Sequence, residues 1–376
     1  MEMDWSTLPE GTRDFLESYG FDEIRFEQYK DDVARGRLTP ESNIVQGRVQ
    51  ACEREFWEDL PKADSEEAEE LAQIGNEAIA RGEVGALVLN GGMATRFGGE
   101  VKGIVQALPG KSFLALKCQS ILKTARAADG EVPLFIMNSF ATDQATREHF
   151  EAHKNFGFPE GQVHHYTQGI SMRLTPKGGI FLDGEGKPSF YGPGHGDCLP
   201  FLRKSGLLSA FLERGGKYIF LSNVDNLAAR LDPRVIGAHI KTSEKMGKAV
   251  TAELAPKWPG DQGGAPALVD DEFWIVEGFR FPPDFDQDSI PVFNTNTFTI
   301  NAEAIDRSFD LTPCYVKKKV DGKEAIQIET LVGEITRFLD THYLRVRRTG
   351  KECRFFPIKT RSDLEDGQED LEVICS

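Results

Sequence analysis

The sequence predicts an α/β fold with a largely parallel or mixed central sheet, and two observations carry that prediction. Short apolar or β-branched runs recur at 86–89, 134–137, 218–221, 248–254 and 292–300, and helical spacings fill 111–128, 141–154, 200–214 and 232–246 between them. At 376 residues the chain can also bury a large core and exceeds the usual size of one domain, so one large domain with appendages or two domains is expected.

Residues 1–80 read as helical. Asp64 and Glu67 suit a capping box ahead of AEELAQIGNEAIARG, Gly82 suits its close, and Leu71, Ile74, Ala78 and Ile79 fall on one face. This segment is expected to pack on the core. The run at 86–89 then empties into a glycine-rich loop, LNGGMATRFGG, followed by Lys102 and Lys111. A strand ending in glycines lets backbone N–H groups approach a ligand, and basic side chains just beyond it point to a phosphate, hence to a nucleotide.

The strand at 218–221 runs straight into Ser222, Asn223, Val224 and Asp225. Ligands of open α/β sheets sit beyond the carboxyl ends of the strands, so Asp225 suits a Mg²⁺ bridging a triphosphate; a plain helix cap is the alternative. In YGPGHGD, glycines flank His195 and make either a backbone that can lie flat against a base or a surface turn. Between 256 and 291 Pro, Gly and Asp accumulate, which suggests loops or an inserted hairpin bordering the cleft. In FNTNTF the amides of Asn294 and Asn296 are expected on one strand face, suited to sugar hydroxyls or to a buried polar ladder.

Charge sharpens the nucleotide reading. The chain carries 44 Lys plus Arg against 60 Asp plus Glu, a net −16. Within 91–117, however, Arg96, Lys102, Lys111 and Lys117 face Glu100 alone. A second island at 345–361 holds Arg345, Arg347, Arg348, Lys351, Arg354, Lys359 and Arg361 against Glu352, and reads either as half of the same site or as a solvated basic edge. Focused positive charge on an acidic body suits a small polyanion in a cleft better than a nucleic acid, which would be repelled everywhere else.

Other features exclude other classes. No apolar run approaches the length of a membrane span, and the start of the chain is acidic rather than basic and then apolar, so neither a membrane nor a secreted location is expected. Six scattered cysteines without a C-x-x-C pair fit a reducing cytoplasm. His149 and His153 share a helix face without the H-E-x-x-H pattern, and the adjacent rings of His164 and His165 point oppositely in a strand, so neither pair suggests zinc. Cys198 reads as a packed thiol. Gly91, Gly92 and Gly98 do not give the dinucleotide spacing, and no P-loop is present.

Seven blocks in one order carry a resemblance: LNGGMATRFGG, PLFIMNSFATD, PGHGD, GLLSAFLERGGKYIFLSNVDNL, FNTNTF, IQIET and FPIKTRSDL. Over about residues 65–365 the chain resembles the eukaryotic-type UTP–glucose-1-phosphate uridylyltransferases, or UDP-glucose pyrophosphorylases, and is similar to the related UDP-N-acetylhexosamine pyrophosphorylases. The resemblance implies a Rossmann-like nucleotidyltransferase (GT-A-like) fold. It implies a helical segment at 1–82, a catalytic core at 83–310, and a C-terminal segment at 311–376 that supplies Lys359. The β-helical domain of the glucose-type enzymes is expected to be lacking, and a monomer is the simplest expectation.

Carried over position by position, the resemblance sets Leu89, Gly91 and Gly92 beside the uracil and ribose, with Arg96 and Lys102 near the triphosphate. Met137 and Gln168 flank or read the uracil; Gly194, His195 and Gly196 form the loop touching the base and sugar phosphate. Asn223, Gly264, Glu277 and Asn296 are implied for the hexose, Asp225 for Mg²⁺, and Lys359 for the phosphates. The implied reaction forms UDP-sugar and pyrophosphate from UTP and a hexose-1-phosphate, glucose-1-phosphate first, by reversible in-line displacement driven by cations and alignment. Three positions depart from the family: Ala94 and Gln262 stand for glycine and lysine, and Thr297 for a second asparagine. They leave an N-acetylhexosamine or broad sugar preference open, as well as a non-catalytic nucleotide-sugar-binding role.

Overall fold

The computed structural model describes residues 5–92, 99–261 and 263–375. Its centre is an eight-stranded sheet of β2 (Glu58–Asp59), β3 (Val84–Leu89), β6 (Leu134–Asn138), β7 (Val163–Thr167), β10 (Tyr218–Asn223), β11 (Val250–Pro256), β14 (Val292–Asn301) and β17 (Thr341–Arg345), in the spatial order β2-β17-β11-β14-β10-β3-β6-β7. Pairings are parallel throughout, except that β14 is antiparallel to both of its neighbours, β10 and β11. The start of β14 therefore lies at the carboxyl ends of the others. The five runs expected as strands are all strands of this mixed sheet.

Alternation along β3 divides the core between the two faces of the sheet. Leu87 and Leu89 pack with Phe135, Met137 and Leu221, whereas Val84, Ala86 and Val88 pack with Leu134, Ile136, Phe113 and Leu114. The helices are α1 (Thr12–Ser18), α2 (Glu23–Ala34), α3 (Glu66–Ala80), α4 (Phe113–Ala127), α5 (Asp143–Ala152), α6 (Cys198–Lys204), α7 (Leu207–Glu213), α8 (Pro233–Met246), α9 (Arg361–Asp366) and α10 (Gln368–Cys375). Two glycines let α3 and α8 cross closely: a Cβ on Gly75 would stand 1.9 Å from the Pro233 carbonyl oxygen, and one on Gly237 1.9 Å from that of Leu71. Capping sets the ends of α8, where Asp232 accepts from the Arg234 N–H, Pro233 opens the helix and Gly247 closes it in the left-handed region.

Four expectations are corrected. Residues 1–80 are not wholly helical, because β1 (Val49–Ala51) and β2 interrupt them. The cap of α3 is Ser65, whose side chain accepts from the Ala68 N–H, rather than the Asp64–Glu67 box. The helix expected at 200–214 is two, since Gly206 at φ 78° ends one and starts the next. Asn294 and Asn296 are not a regular same-face pair: pairing shifts between Ala252 and Leu254 opposite them, and Asn296 bulges out at φ 55°.

The inserted segment does contain a hairpin, β12 (Ala265–Val269) with β13 (Glu272–Val276), and β1 pairs with β12 to make a three-stranded sheet. Three further ribbons are β4 (Gln106–Leu108) with β5 (Lys111–Ser112), β8 (Ser171–Met172) with β9 (Phe190–Tyr191), and β15 (Cys314–Val320) with β16 (Lys323–Glu329). All six cysteines are free thiols, and Cys198 is fully buried. No described helix is long and apolar enough to cross a membrane.

Candidate functional site

Two cavities meet at the carboxyl ends of β3, β6 and β10. One, of about 500 Å³, is lined by Leu89, Gly91, Gly92, Lys102, Met137, Gln168 and Gly194. The other, of about 760 Å³, is lined by Gly264, Glu277, Asn294, Asn296, Arg348 and Lys359. His195, Asn223 and Asp225 line both. Of the residues expected at a nucleotide, Leu89, Gly91, Gly92, Met137, Gln168, Gly194 and His195 thus line the first, whereas Gly196 does not, and those expected at a hexose line the second or the junction.

At the nucleotide-side cavity the glycines work by their missing Cβ atoms. Added to Gly91 or Gly192, a Cβ would stand 3.1 Å or 1.8 Å from the Gln168 side chain, so the amide is seated between two bare backbones. Gly194 and Gly196 instead clear space for protein. A Cβ on either would stand 2.4 Å from Thr330, whose N–H donates to the Pro193 carbonyl and whose own carbonyl accepts from the Gly196 N–H. Gly196 is buried in that contact and lines neither cavity, contrary to the expectation that it meets a base.

The same clasp orients His195. Its Nδ1 accepts from the Val332 N–H at 3.1 Å, which leaves Nε2 as the protonated nitrogen of the neutral ring. Burial pulls its pKa down to about 4, so near neutral pH the imidazole is an uncharged donor at the junction.

Asp225 follows β10 and does not cap a helix, for α8 begins only at Pro233. The Lys102 ammonium donates to Asp225 Oδ2 and to the Ile358 carbonyl, both at 3.0 Å, and the Ile358 N–H donates to the Asp225 carbonyl at 3.0 Å. Lys102, Asp225 and the chain leading into Lys359 are thereby joined across more than two hundred and fifty residues of sequence. Lys359 is exposed, and its N–H donates to Asp363 at the capping box of α9. Among the described residues no three His, Cys, Asp or Glu side chains gather into a metal cluster, and of the three residues that line both cavities only Asp225 is a carboxylate.

On the second cavity, Asn296 Nδ2 donates to Asn223 Oδ1 at 2.9 Å, and the Asn296 N–H donates to Asn294 Oδ1 at 3.0 Å. The bulge in β14 is what brings these amides together. The Glu277 carboxyl packs against the bare Cα of Gly264, where a Cβ would meet it at 3.1 Å. Burial, followed by the opposing influences of Arg280 and Glu334, raises its pKa to about 7.

Most of the counted cations are spent elsewhere. In the second island Arg345 pairs with Asp59, Arg347 with Glu352, Arg348 with Asp261, Arg354 with Glu253 and Arg361 with Glu100, so it is largely a structural network from which Lys359 reaches the cleft. In the first, Lys111 bonds Gln119 and Lys117 is buried. Arg96, Ala94 and Gln262 lie outside the described residues. Sequence reasoning missed Lys318, Lys319 and Glu329 of the β15–β16 ribbon, which line the nucleotide-side cavity; the run Lys317-Lys318-Lys319 was the available signal. It also missed Asn90, whose side chain donates to Asn138 Oδ1 and Thr146 Oγ1 and steadies the start of the glycine loop.

A mixed sheet with glycines at the end of β3, a carboxylate past β10 and flanking lysines around paired cavities defines an α/β protein with its ligand site at the carboxyl ends of its strands. Its fold matches the uridine diphosphate N-acetylglucosamine pyrophosphorylase of Trypanosoma brucei, with a TM-score of 0.77 at 20% identity over 95% of this chain and 79% of that one. It likewise matches a UDP-glucose phosphorylase of the same organism, with a TM-score of 0.72 at 22% identity over 94% and 76%. The profile of the family described as UTP–glucose-1-phosphate uridylyltransferase matches residues 41–371, and the chain belongs to that family. Among curated relatives, the UTP–glucose-1-phosphate uridylyltransferase of Musa acuminata is 31% identical over 78% of this chain and 64% of its own length. That of Hordeum vulgare is 31% identical over 76% and 61%, so the chain spans about three fifths of these relatives.

Proposed function

We propose that this chain transfers a uridylyl group from UTP to a hexose-1-phosphate, glucose-1-phosphate first, releasing pyrophosphate reversibly. The observation that carries the reading is the junction: His195, Asn223 and Asp225 line both cavities, with Lys102 on one side and Lys359 on the other. A nucleotide and a sugar phosphate held in two such cavities meet there.

In this reading the uracil lies by Leu89, Gly91, Gly92 and Met137 and is read by the Gln168 amide, and the hexose hydroxyls meet Asn223, Asn296, Glu277 and the backbone at Gly264. An oxygen of the sugar phosphate attacks the α-phosphorus, the bond to the bridging oxygen breaks, and pyrophosphate leaves with the electron pair. Repulsion between phosphates is the main obstacle. Lys102 and Lys359, with Arg96 as the family resemblance assigns it, supply positive charge, while neutral His195 offers an Nε2–H to a phosphate oxygen without adding charge.

Mg²⁺ fits the single carboxylate of Asp225, because Mg²⁺ is commonly held by one or two carboxylates together with substrate phosphates and water. When bound it would neutralise charge on the triphosphate. Both cavities are built by one chain, so a monomer suffices. Six free thiols suit a reducing cytoplasm.

The test is pyrophosphate release from a matrix of nucleoside triphosphates and sugar-1-phosphates with Mg²⁺. The expected result is release with UTP and glucose-1-phosphate; preference for N-acetylglucosamine-1-phosphate would revise the sugar. Binding of UDP-sugar without release from any pair would replace catalysis by a binding role.

A further inference from the structure

Helix α4 packs beneath the loop that follows β10, and its inward face is apolar at Phe113, Leu114, Leu116 and Ile121. Lys117 stands among them, 3% exposed. Its amine donates to Ser222 Oγ at 3.1 Å and to the Ala229 carbonyl at 2.8 Å. Those two acceptors bracket the stretch that carries Asn223 and Asp225.

An amine in that position needs a reason, since burying one costs several kcal/mol unless its hydrogen bonds are satisfied, and a methionine would fill the same space without that cost. From the opposite side the loop is held by the C-terminal segment, through Phe356 N–H to Asn226 Oδ1 and Ile358 N–H to the Asp225 carbonyl. On the α4 side, Lys117 grips both ends of 222–229, and Thr124 adds a bond to the Leu231 carbonyl.

We propose that Lys117 is a positioning residue, whose two hydrogen bonds hold the 222–229 loop so that Asn223 and Asp225 stand at the junction of the two cavities. The inference rests on the uridylyl-transfer reading. Burial draws the pKa of Lys117 down to about 7, with Asp225, Glu253 and Cys375 raising it and Arg354 lowering it. The grip does not depend on that titration: a neutral amine can still donate to Ala229 and accept from the Ser222 hydroxyl.

The test separates the base from the phosphates. In Lys117→Met, uridine should bind as in the wild type by calorimetry, because Leu89, Met137 and Gln168 are untouched. UTP with Mg²⁺ should bind about tenfold more weakly and kcat should fall by about 10–100-fold, the scale of an ångström's misplacement. Ser222→Ala removes one bond of the two and should shift the same quantities less, which keeps the question open to measurement if the methionine variant does not fold. Equal weakening of uridine and Mg–UTP, or wild-type kcat in either folded variant, would overturn the proposal. Failure of the transfer reading looks different: wild-type protein would release no pyrophosphate, yet the uridine and Mg–UTP comparison could still be made.

Discussion

Arg354 and Glu253 face each other through two hydrogen bonds of 2.6 Å, with both side chains 1% exposed. The pair joins β11 to the C-terminal segment, and Arg354 Nη2 also donates to the Arg230 carbonyl at 2.9 Å. Immediately beyond it, Phe356 and Ile358 bond the loop of Asn226 and Asp225, and Lys359 follows. A buried ion pair therefore sets where an exposed lysine enters the cleft.

Replacing Arg354 by Met should be severe. It strands the Glu253 carboxylate in the core, and loss of one partner of a buried pair typically costs about 3–5 kcal/mol. Urea denaturation should report that loss, and Arg354→Met combined with Glu253→Leu should recover much of it. An unchanged midpoint in the single variant would refute the structural role.

Asp225→Asn and Lys359→Ala should each lower kcat by about 10²-fold or more with little change in stability, through lost charge stabilisation at the reacting phosphates. Pyrophosphate release measures the first quantity and thermal unfolding the second. Near-native turnover in either would contradict the roles given to them.

Five strands of the central sheet, β3, β6, β10, β11 and β14, were legible because they are apolar or β-branched runs, which is what burial on both faces favours. The strands at one edge were not: β2 is only the two carboxylates Glu58-Asp59, and β17 offers just the apolar pair Tyr343-Leu344 between His342 and Arg345, too short a signature to mark a strand. Counting cations located the cleft but could not tell which were neutralised, since the partners Asp59, Glu100, Glu253 and Asp261 lie far away in sequence. Thr and Asn alternating in FNTNTF look like a regular strand, so the left-handed turn at Asn296 that meets Asn223 was invisible. The glycines around His195 signalled close approach without revealing that the approaching partner is Thr330.

Glu277 should make sugar-phosphate affinity depend on pH. Its pKa is raised to about 7, and the ionised carboxylate is the stronger acceptor for sugar hydroxyls. KM for the hexose-1-phosphate is therefore expected to fall as pH rises from 6 to 8, by several-fold, and to lose that dependence in Glu277→Gln. A wild-type KM flat over this range, measured by initial rates, would remove Glu277 from the hexose site.

Stability should follow the buried histidines. His165, His195 and His239 each have folded pKa values lowered to about 4 by burial, against an ordinary 6.5. Unfolding then takes up protons below pH 6.5, so their contribution is whole above that value and is lost as pH falls toward 4. Glu277, raised instead, contributes in the opposite sense, fully below its ordinary value of 4.5 and lost as pH rises through about 7. Asp197, which burial raises to about 6, acts as Glu277 does, but His149, His164 and His342 are also lowered by burial, so the histidines outnumber these two carboxyls and predict a denaturation midpoint that drops between pH 6.5 and 4.5. His239→Gln should flatten the slope by about one proton, and an unaltered slope would count against a neutral, buried His239.

Gly192→Ala isolates the seat of Gln168 from the stability of the fold. The new Cβ would stand 1.8 Å from Gln168 Nε2, the mobile end of a side chain, so the amide can move aside at small cost while its place in the cavity is lost. KM for UTP should rise by about tenfold or more with kcat and the unfolding midpoint nearly unchanged, as expected when binding common to ground and transition states is removed. Gly194→Ala is the contrast. Its φ of 95° and the Thr330 carbonyl oxygen at 2.4 Å leave a methyl nowhere to go, so that variant should lose stability, kcat and UTP affinity together. If Gly192→Ala instead bound UTP as the wild type does, Gln168 would not be the residue that reads the base.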